Sequence, residues 1–243
     1  MSLPTLLISD LHLEASRPEL TAALGRLLEQ YRGRCARLFI LGDLFEAWIG
    51  DDDTSALADE VARELSAFAA AGAEIGLMHG NRDFLIGADY ARRCSARLMP
   101  ESEIISSGNQ RFLLLHGDSL CTDDTGYQAF RQLVRQSEWQ AQFLGQSLDA
   151  RRAFAAQART ESKAATADKA NEIMDVNAAA VREALSAACV SQMIHGHTHR
   201  PKAHSVDTGS TRTVLGDWHD GAWIGLLQDG VLELSYFDFK SIK

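Results

Sequence analysis

Residues 194–201 read Ile194-His195-Gly196-His197-Thr198-His199-Arg200-Pro201, three histidines in five positions. In a strand, alternate side chains share one face, so an alternating triplet would present three imidazoles together. Gly196 and Pro201 break that regularity. The strand is therefore expected to end inside the motif, leaving the last two imidazoles on a loop. Neutral imidazole is the commonest side-chain metal ligand. A polar surface loop would carry the same residue types. A purification tag would not be internal, nor follow the apolar run at 190–194. The motif gains meaning only if the chain also supplies carboxylates and further ligands.

The chain supplies them at regular places. Residues 5–9 predict a short buried strand, followed at once by Asp10-Leu11-His12. A helical pattern covers 20–31, with Leu20, Leu24, Leu27 and Leu28 on one face. A second buried strand at 38–41 ends in Gly42-Asp43, and an alanine-rich amphipathic segment covers 55–71. A third strand at 74–78 ends in His79-Gly80-Asn81-Arg82-Asp83, and a fourth at 112–115 in His116-Gly117-Asp118. Further strands are expected at 211–215, 222–227 and 231–237. The last two are joined through Asp229-Gly230, a strong hairpin signal. In α/β sheets, sites form where loops converge at the carboxyl ends of strands. Five strand ends, each followed by a metal-competent side chain, exceed what turn chemistry alone requires.

Bulk properties limit the partners. The 243 residues suffice for one sizeable core, or for one domain with an insertion, and 46% hydrophobic content is ordinary for a globular chain. The net charge of -9 argues against a general nucleic-acid binder. Cys35, Cys94, Cys121 and Cys189 form no C-x-x-C pair, so reduced thiols in a cytoplasmic protein are expected. The N-terminal residues lack the pattern of a signal peptide. No stretch approaches the ~18 apolar residues of a spanning helix, so any membrane contact would be peripheral.

Residues 126–186 depart from the strand rhythm. They carry no strand signal and repeat apolar residues at helical spacing. Between 126 and 170 there are seven Lys or Arg against four acids. A basic helical segment within an acidic chain is expected to be an inserted cap on a single domain spanning 1–243. Phe130, Leu133, Phe143 and Phe154 are its candidates for contacting apolar ligand, and Arg151, Arg152, Arg159 and Lys169 for contacting anions. Asp51-Asp52-Asp53 is expected to be an exposed acidic turn. His79 and His195 are expected in the core, and His204 and His219 at the surface.

Asp10, His12, Asp43, Asn81, His116, His197 and His199 together offer two carboxylates, one amide and four imidazoles. One ion would use about four of them; two ions sharing a carboxylate would use all seven. Paired ions ~3.5–4 Å apart suit in-line phosphoryl displacement. Mixed nitrogen and oxygen donors suit Mn, Fe, Co or Zn. Arg82 adds a guanidinium that can grip phosphate bidentately.

Asp10-x-His12, Gly42-Asp43, Gly80-Asn81-x-Asp83, His116-Gly117 and Gly196-His197-x-His199 resemble, in order, the five motifs of the calcineurin-like metallophosphoesterases. That resemblance implies an α/β fold, a four-layer αββα sandwich with a dimetal centre. It implies one site from Asp10, His12, Asp43 and His199, and another from Asp43, Asn81, His116 and His197, with Asp43 bridging. The generic family has histidine where this chain has Arg82, and that histidine assists leaving-group departure. An arginine cannot donate a proton at neutral pH, but it can stabilise a departing phosphate, whose second pKa is about 6. A pyrophosphate substrate is favoured over a simple diester.

Residues 45–52, 79–85, 116–124 and 173–177 are similar to the UDP-2,3-diacylglucosamine pyrophosphatases of lipid A biosynthesis. The resemblance implies two Mn2+ per chain and water attack at the α-phosphorus, giving UMP and 2,3-diacylglucosamine 1-phosphate (lipid X). It implies that the insertion shelters acyl chains, and that the protein sits peripherally on the anionic cytoplasmic face of the inner membrane. Asn81 and Arg82 would act in catalysis. Asp124, Ser162, Thr166 and Lys169 would contact substrate together with Asn81, Arg82 and His197. No nucleic acid and no obligate protein partner are expected. The alternatives are a dimetal phosphodiesterase of another substrate class and a non-catalytic metal-binding scaffold.

Overall fold

The structure, a computed structural model, describes residues 2–167 and 175–239, and the side chains of all of these but 162–167. In the first half, β1 (Thr5–Ile8), β2 (Arg37–Leu41), β3 (Glu74–Met78) and β4 (Ala96–Leu98) alternate with α1 (Pro18–Tyr31), α2 (Ala56–Ala70) and α3 (Ala88–Arg93). Then come the hairpin β5 (Ser102–Ser107) and β6 (Gln110–Leu115), and the helices α4 (Thr125–Val134), α5 (Ser137–Leu144), α6 (Leu148–Ala167) and α7 (Ala178–Ala188). The chain closes with β7 (Gln192–His195), β8 (Lys202–Asp207), β9 (Ser210–Val214), β10 (Gly221–Gln228) and β11 (Val231–Asp238).

Two sheets result, in the orders β11-β10-β1-β2-β3-β4 and β5-β6-β7-β9-β8. Strands β1 to β4 run parallel, as do β6, β7 and β9. Parallel strands buried on both faces read as unbroken apolar runs, and β1 shows why. Leu6 and Ile8 face α1 and α2, whereas Leu7 faces the second sheet with Phe39, Leu41, Phe112, Leu114 and Ile194. On β6 the parity is the same: Phe112 and Leu114 face the first sheet, and Leu113 and Leu115 meet Val181 and Leu185 of α7. The layers are helices, sheet, sheet and helix, as the α/β sandwich expectation required. Within 126–186, α7 forms the outer layer over the second sheet.

Local chemistry fixes the element ends. Pro18 begins α1, where its missing N–H is no loss. The Ser55 hydroxyl caps α2 by accepting from Ala58 N–H at 3.1 Å. Asp229 and Gly230, with φ of 49° and 86°, turn β10 into β11 as the Asp-Gly pair predicts. Strands β4, β5 and β8 were not expected. Serine, charge and partial exposure hide their alternation.

The sheet-to-sheet interface should dominate stability. Leu114→Ala removes a fully buried side chain there, and should lower the unfolding free energy by about 2–5 kcal/mol in urea titration. Leu133→Ala, on the exposed side of α4, should change it by less than about 0.5 kcal/mol.

Candidate metal centre

All seven residues picked out by the strand-end pattern lie at the carboxyl ends of parallel strands: Asp10 and His12 after β1, Asp43 after β2, Asn81 after β3, His116 after β6, His197 and His199 after β7. Within each sheet, the loops after neighbouring strands are stitched together. Asp10 N–H donates to Gly42 O at 3.1 Å, His12 N–H to Asp43 O at 3.0 Å, and Gly196 N–H to His116 O at 2.8 Å. Asp10, His12, Asp43, His197 and His199 all have φ between 49° and 65°. They are five of the eight non-glycine residues with positive φ among those described. Such conformations cost about 1–3 kcal/mol each and persist only where the surroundings over-determine them. The motif glycines are equally constrained. A Cβ on Gly42 would lie 2.5 Å from His116 Nδ1, and one on Gly80 would strike the Asp43 carboxylate.

The donor atoms form two half-shells that meet at Asp43. In one, His12 Nε2 lies 3.4 Å from His199 Nε2, which lies 3.4 Å from Asp10 Oδ1. In the other, Asn81 Oδ1 lies 3.1 Å from His116 Nε2 and 2.9 Å from His197 Nδ1. Asp43 Oδ2 is 3.8 Å from both His12 Nε2 and His116 Nε2. Each carboxylate spends one oxygen on the protein. Asp43 Oδ1 accepts from Arg82 N–H at 2.8 Å. Asp10 Oδ2 accepts from the Ser9 hydroxyl at 2.6 Å and from His197 N–H at 2.9 Å. Asp10 Oδ1, fully buried, accepts no hydrogen bond. Outside the centre, His12 Nδ1–H donates to Glu46 Oε2 at 2.9 Å and His116 Nδ1–H to Leu41 O at 2.8 Å. Both rings thus turn Nε2 inward, as a ligand held by an outer partner does.

Electrostatics carry the same message. Burial raises the Asp43 carboxyl to about 6, against the pull of His116 and His12. Burial also opposes ionisation of Asp10, but His199, His116 and His12 hold it well below the usual carboxylate range. Burial disfavours charge on His12, yet Glu46, Asp43 and Asp10 carry it up to about 9. For His116 too, Asp43, Asp10 and Asp118 outweigh burial and raise it. His197 is lowered to about 4 by burial and His116, which outweigh the opposing pull of Asp118 and Asp10. Without cations, the carboxylates recruit protons onto the imidazoles between them. Facing imidazole nitrogens, a buried carboxylate oxygen without a donor, and a proton-hungry centre fit divalent cations, whose mixed-donor ligation this set can supply. Two triads, Asp10-His12-His199 and Asp10-Asp43-His116, each hold ligand atoms within 4.8 Å of one another.

The remaining candidates separate. Arg82 reaches the edge of the centre, its NH1 3.8 Å from Glu46 Oε1. Asp124 caps α4, accepting from Tyr127 N–H at 3.0 Å. Lys169 and the side chains of Ser162 and Thr166 lie outside the described residues. Asp83 is fully buried and accepts from Asp43, Leu44 and Gly80 N–H, which braces the loops around Asp43. His195 is buried with Nδ1–H donating to Gly196 O, and burial lowers it to about 3, so it stays neutral.

Several expectations need correction. The turn at 51–53 is not simply exposed. Asp51 accepts from Trp48 Nε1–H, Gly87 N–H and Tyr90 N–H, while Asp52 and Asp53 pair with Arg151 and Arg152. Arg151 is 2% exposed and donates to Ile49 O at 2.7 Å, so it anchors α6 rather than awaiting an anion. Phe143 is a core residue stacked on Trp139, and His204 is half-buried. Two carboxylates were missed. Glu46 holds His12. Asp118, buried two residues after His116, accepts from Tyr127 Oη–H at 2.7 Å and Arg131 Nε–H at 2.8 Å. Glu46 lies three residues after Asp43, but nothing in its spacing announces a partner in another loop.

The chain belongs to the calcineurin-like phosphoesterase family, whose model matches residues 3–201. Among its relatives is the UDP-2,3-diacylglucosamine hydrolase of Cellvibrio japonicus, 51% identical over 222 residues, with 90% of this chain and 92% of the relative covered. The protein of the same name from Escherichia coli O7:K1 is 44% identical, covering 97% and 99%. That from Xanthomonas oryzae pv. oryzae is 50% identical, covering 93% and 96%. A dimetal phosphatase from Danio rerio shares the fold at a TM-score of 0.56 and 15% identity, over 98% of this chain and 96% of that one.

Metal binding at neutral pH must displace protons from the raised imidazoles. Since His12 holds its proton up to about pH 9, calorimetry of Mn2+ binding at pH 7 in buffers of different ionisation enthalpy should register net proton release. That release should fall away as the pH is raised past 9.

Proposed function

We propose that this protein is a UDP-2,3-diacylglucosamine hydrolase that cleaves the pyrophosphate with two bound Mn2+, giving UMP and 2,3-diacylglucosamine 1-phosphate. The observation that carries the dimetal reading is the pair of donor half-shells meeting at Asp43 Oδ2. The substrate class rests on relatives of that name at 44–51% identity over nearly the whole chain. Asp10, His12, Asp43 and His199 would hold one ion, and Asp43, Asn81, His116 and His197 the other. Such ions, when bound, activate water and offset charge on phosphoryl oxygens.

The chain's own residues do the rest. Glu46 and Leu41 O keep the Nδ1 protons of His12 and His116 outside the centre. Asp83 and the Asp43–Arg82 hydrogen bond fix the loop that carries Asn81 and Arg82. Arg82 grips the departing phosphate, which needs charge compensation rather than a proton because its second pKa is about 6. His197, kept neutral, accompanies Asn81 at the substrate side of the second half-shell. Asp124, Ser162, Thr166 and Lys169 complete the substrate contacts in this reading.

Helices α4 to α6 act here as the cap, over the site and the acyl chains, while α7 belongs to the sandwich. Phe130 and Leu133 on α4, Leu144 on α5 and Phe154 on α6 are exposed. Burial of each methylene is worth about 0.8 kcal/mol, so such surface rewards contact with lipid. A cavity of about 190 Å³, lined by Leu13, Phe45, Trp48, Ile49 and Leu57 with Glu46 and Arg159 at its polar side, lies between core and cap. No helix among the described residues is long and apolar enough to cross a membrane. Contact with the cytoplasmic face of the inner membrane would be peripheral, through the cap.

Purified protein with Mn2+ should turn over UDP-2,3-diacylglucosamine far faster than deacylated UDP-glucosamine or a chromogenic phosphodiester. In 18O-water the label should enter UMP. Equal turnover of the chromogenic diester would favour a diesterase of another class, and label in the sugar phosphate would move the attack to the other phosphorus. Arg82→Ala should lower kcat by about 100-fold, the scale of losing one preorganised charge-stabilising donor. Lys should recover only part of that, since it lacks the fork. Asp43→Ala should empty both metal sites, whereas His12→Ala should empty mainly one.

A further inference from the structure

Glu46 follows β2 in the loop that also carries Asp43, and its side chain is mostly buried. One oxygen, Oε2, accepts from His12 Nδ1–H at 2.9 Å. The other, Oε1, lies 3.8 Å from a guanidinium nitrogen of Arg82 and 3.9 Å from one of Arg159. Three separate elements converge on this carboxylate: the loop after β1, the loop after β3, and cap helix α6.

We propose that Glu46 is a positioning residue that orients His12 through one oxygen and gathers Arg82 and Arg159 on the other. A single side chain would then set the metal site and the anion-reading side of the cleft together. An unpaired carboxylate here would repel the phosphates that must enter. Facing two guanidinia and an imidazole N–H, its charge is offset. The oxygen held by His12 is unavailable as a proton acceptor for substrate, which separates this role from general base catalysis. The same contact directs the imidazole lone pair at Nε2 into the centre, the orientation that outer carboxylates impose on ligating histidines. The inference rests on the dimetal reading of the site.

Two substitutions separate the roles. In Glu46→Gln the amide oxygen can still accept from His12 Nδ1–H, but the charge that gathers the arginines is lost. In Glu46→Ala both are lost. Mn2+ titrated calorimetrically should bind Glu46→Gln within about threefold of wild type and Glu46→Ala about 10–100-fold more weakly, the scale of losing an outer-shell partner. In steady-state kinetics on UDP-2,3-diacylglucosamine, Glu46→Gln should show kcat lowered about tenfold with KM no higher than wild type, because the guanidinia remain but are no longer arrayed. Melting curves report whether Glu46→Ala folds; the isosteric Gln variant carries the kinetic test if it does not. Wild-type Mn2+ affinity in Glu46→Ala overturns the orienting role, and unchanged kcat with raised KM in Glu46→Gln overturns the gathering role. Wild-type protein that binds no divalent cation removes the dimetal reading and this proposal together.

Discussion

Asp10 and Asp43 are buried, at 0% and 2% exposure, and no ion pair among the described residues joins either to a lysine or an arginine. Their charged partners are histidines alone. Burying a carboxylate without compensation is expensive, and such groups neutralise or find a cation. The fold therefore concentrates an electrostatic debt at one point and surrounds it with nitrogen donors. Much nearby structure serves that point. Asp83 pins three backbone N–H groups around Asp43, the Ser9 hydroxyl and His197 N–H occupy one oxygen of Asp10, and five residues accept left-handed backbone to aim their side chains inward.

Helices α4 to α6 are held to this centre by charge rather than by apolar contact alone. Arg151 of α6 is buried against Asp52 and Ile49 O, and Asp118 beside His116 receives Tyr127 and Arg131 of α4. Arg135, just after α4, donates to Gly80 O at 2.8 Å and covers the Phe84 ring. Buried ion pairs contribute little net stability, because desolvation offsets their attraction, but breaking one costs heavily. Their effect here is registry: each tie joins one of these helices to a loop that also carries a candidate ligand or a neighbour of one. Apolar contact between Trp139, Phe143, Phe154 and Phe84 fills the space between these ties.

The seven donors were legible because each follows an unbroken apolar run, and a run buried on both faces identifies a parallel strand and its carboxyl end. The four-layer order came from the motif resemblance. What escaped depends on pairing across distance. Glu46 meets His12 from 34 positions away and Arg151 meets Asp52 from 99, and neither spacing has a period that a sequence window could detect. Arg151 and Arg152 look alike in sequence, yet one is buried and the other exposed, because only one projects toward the Ile49 carbonyl. Backbone strain was hidden for a related reason: aspartate and histidine are enriched at positive φ but seldom adopt it, and the surroundings impose it.

Residue 82 shows how this scaffold leaves room for a choice of chemistry. Its main chain is fixed twice, Arg82 N–H donating to Asp43 Oδ1 at 2.8 Å and Arg82 O accepting from Trp48 N–H at 3.1 Å. Any residue but proline can make both bonds. Its side chain is mostly covered, at 24% exposure, and reaches Glu46. The backbone thus does not select arginine over the histidine of the generic motif; what distinguishes arginine here is the charge it sets beside Glu46. A histidine there supplies a proton to an alkoxide, whereas an arginine supplies a fixed charge and a planar fork to a phosphate. In a site whose other donors follow the family pattern, that one exchange is the chemical ground on which the proposed substrate is an anhydride rather than an ester.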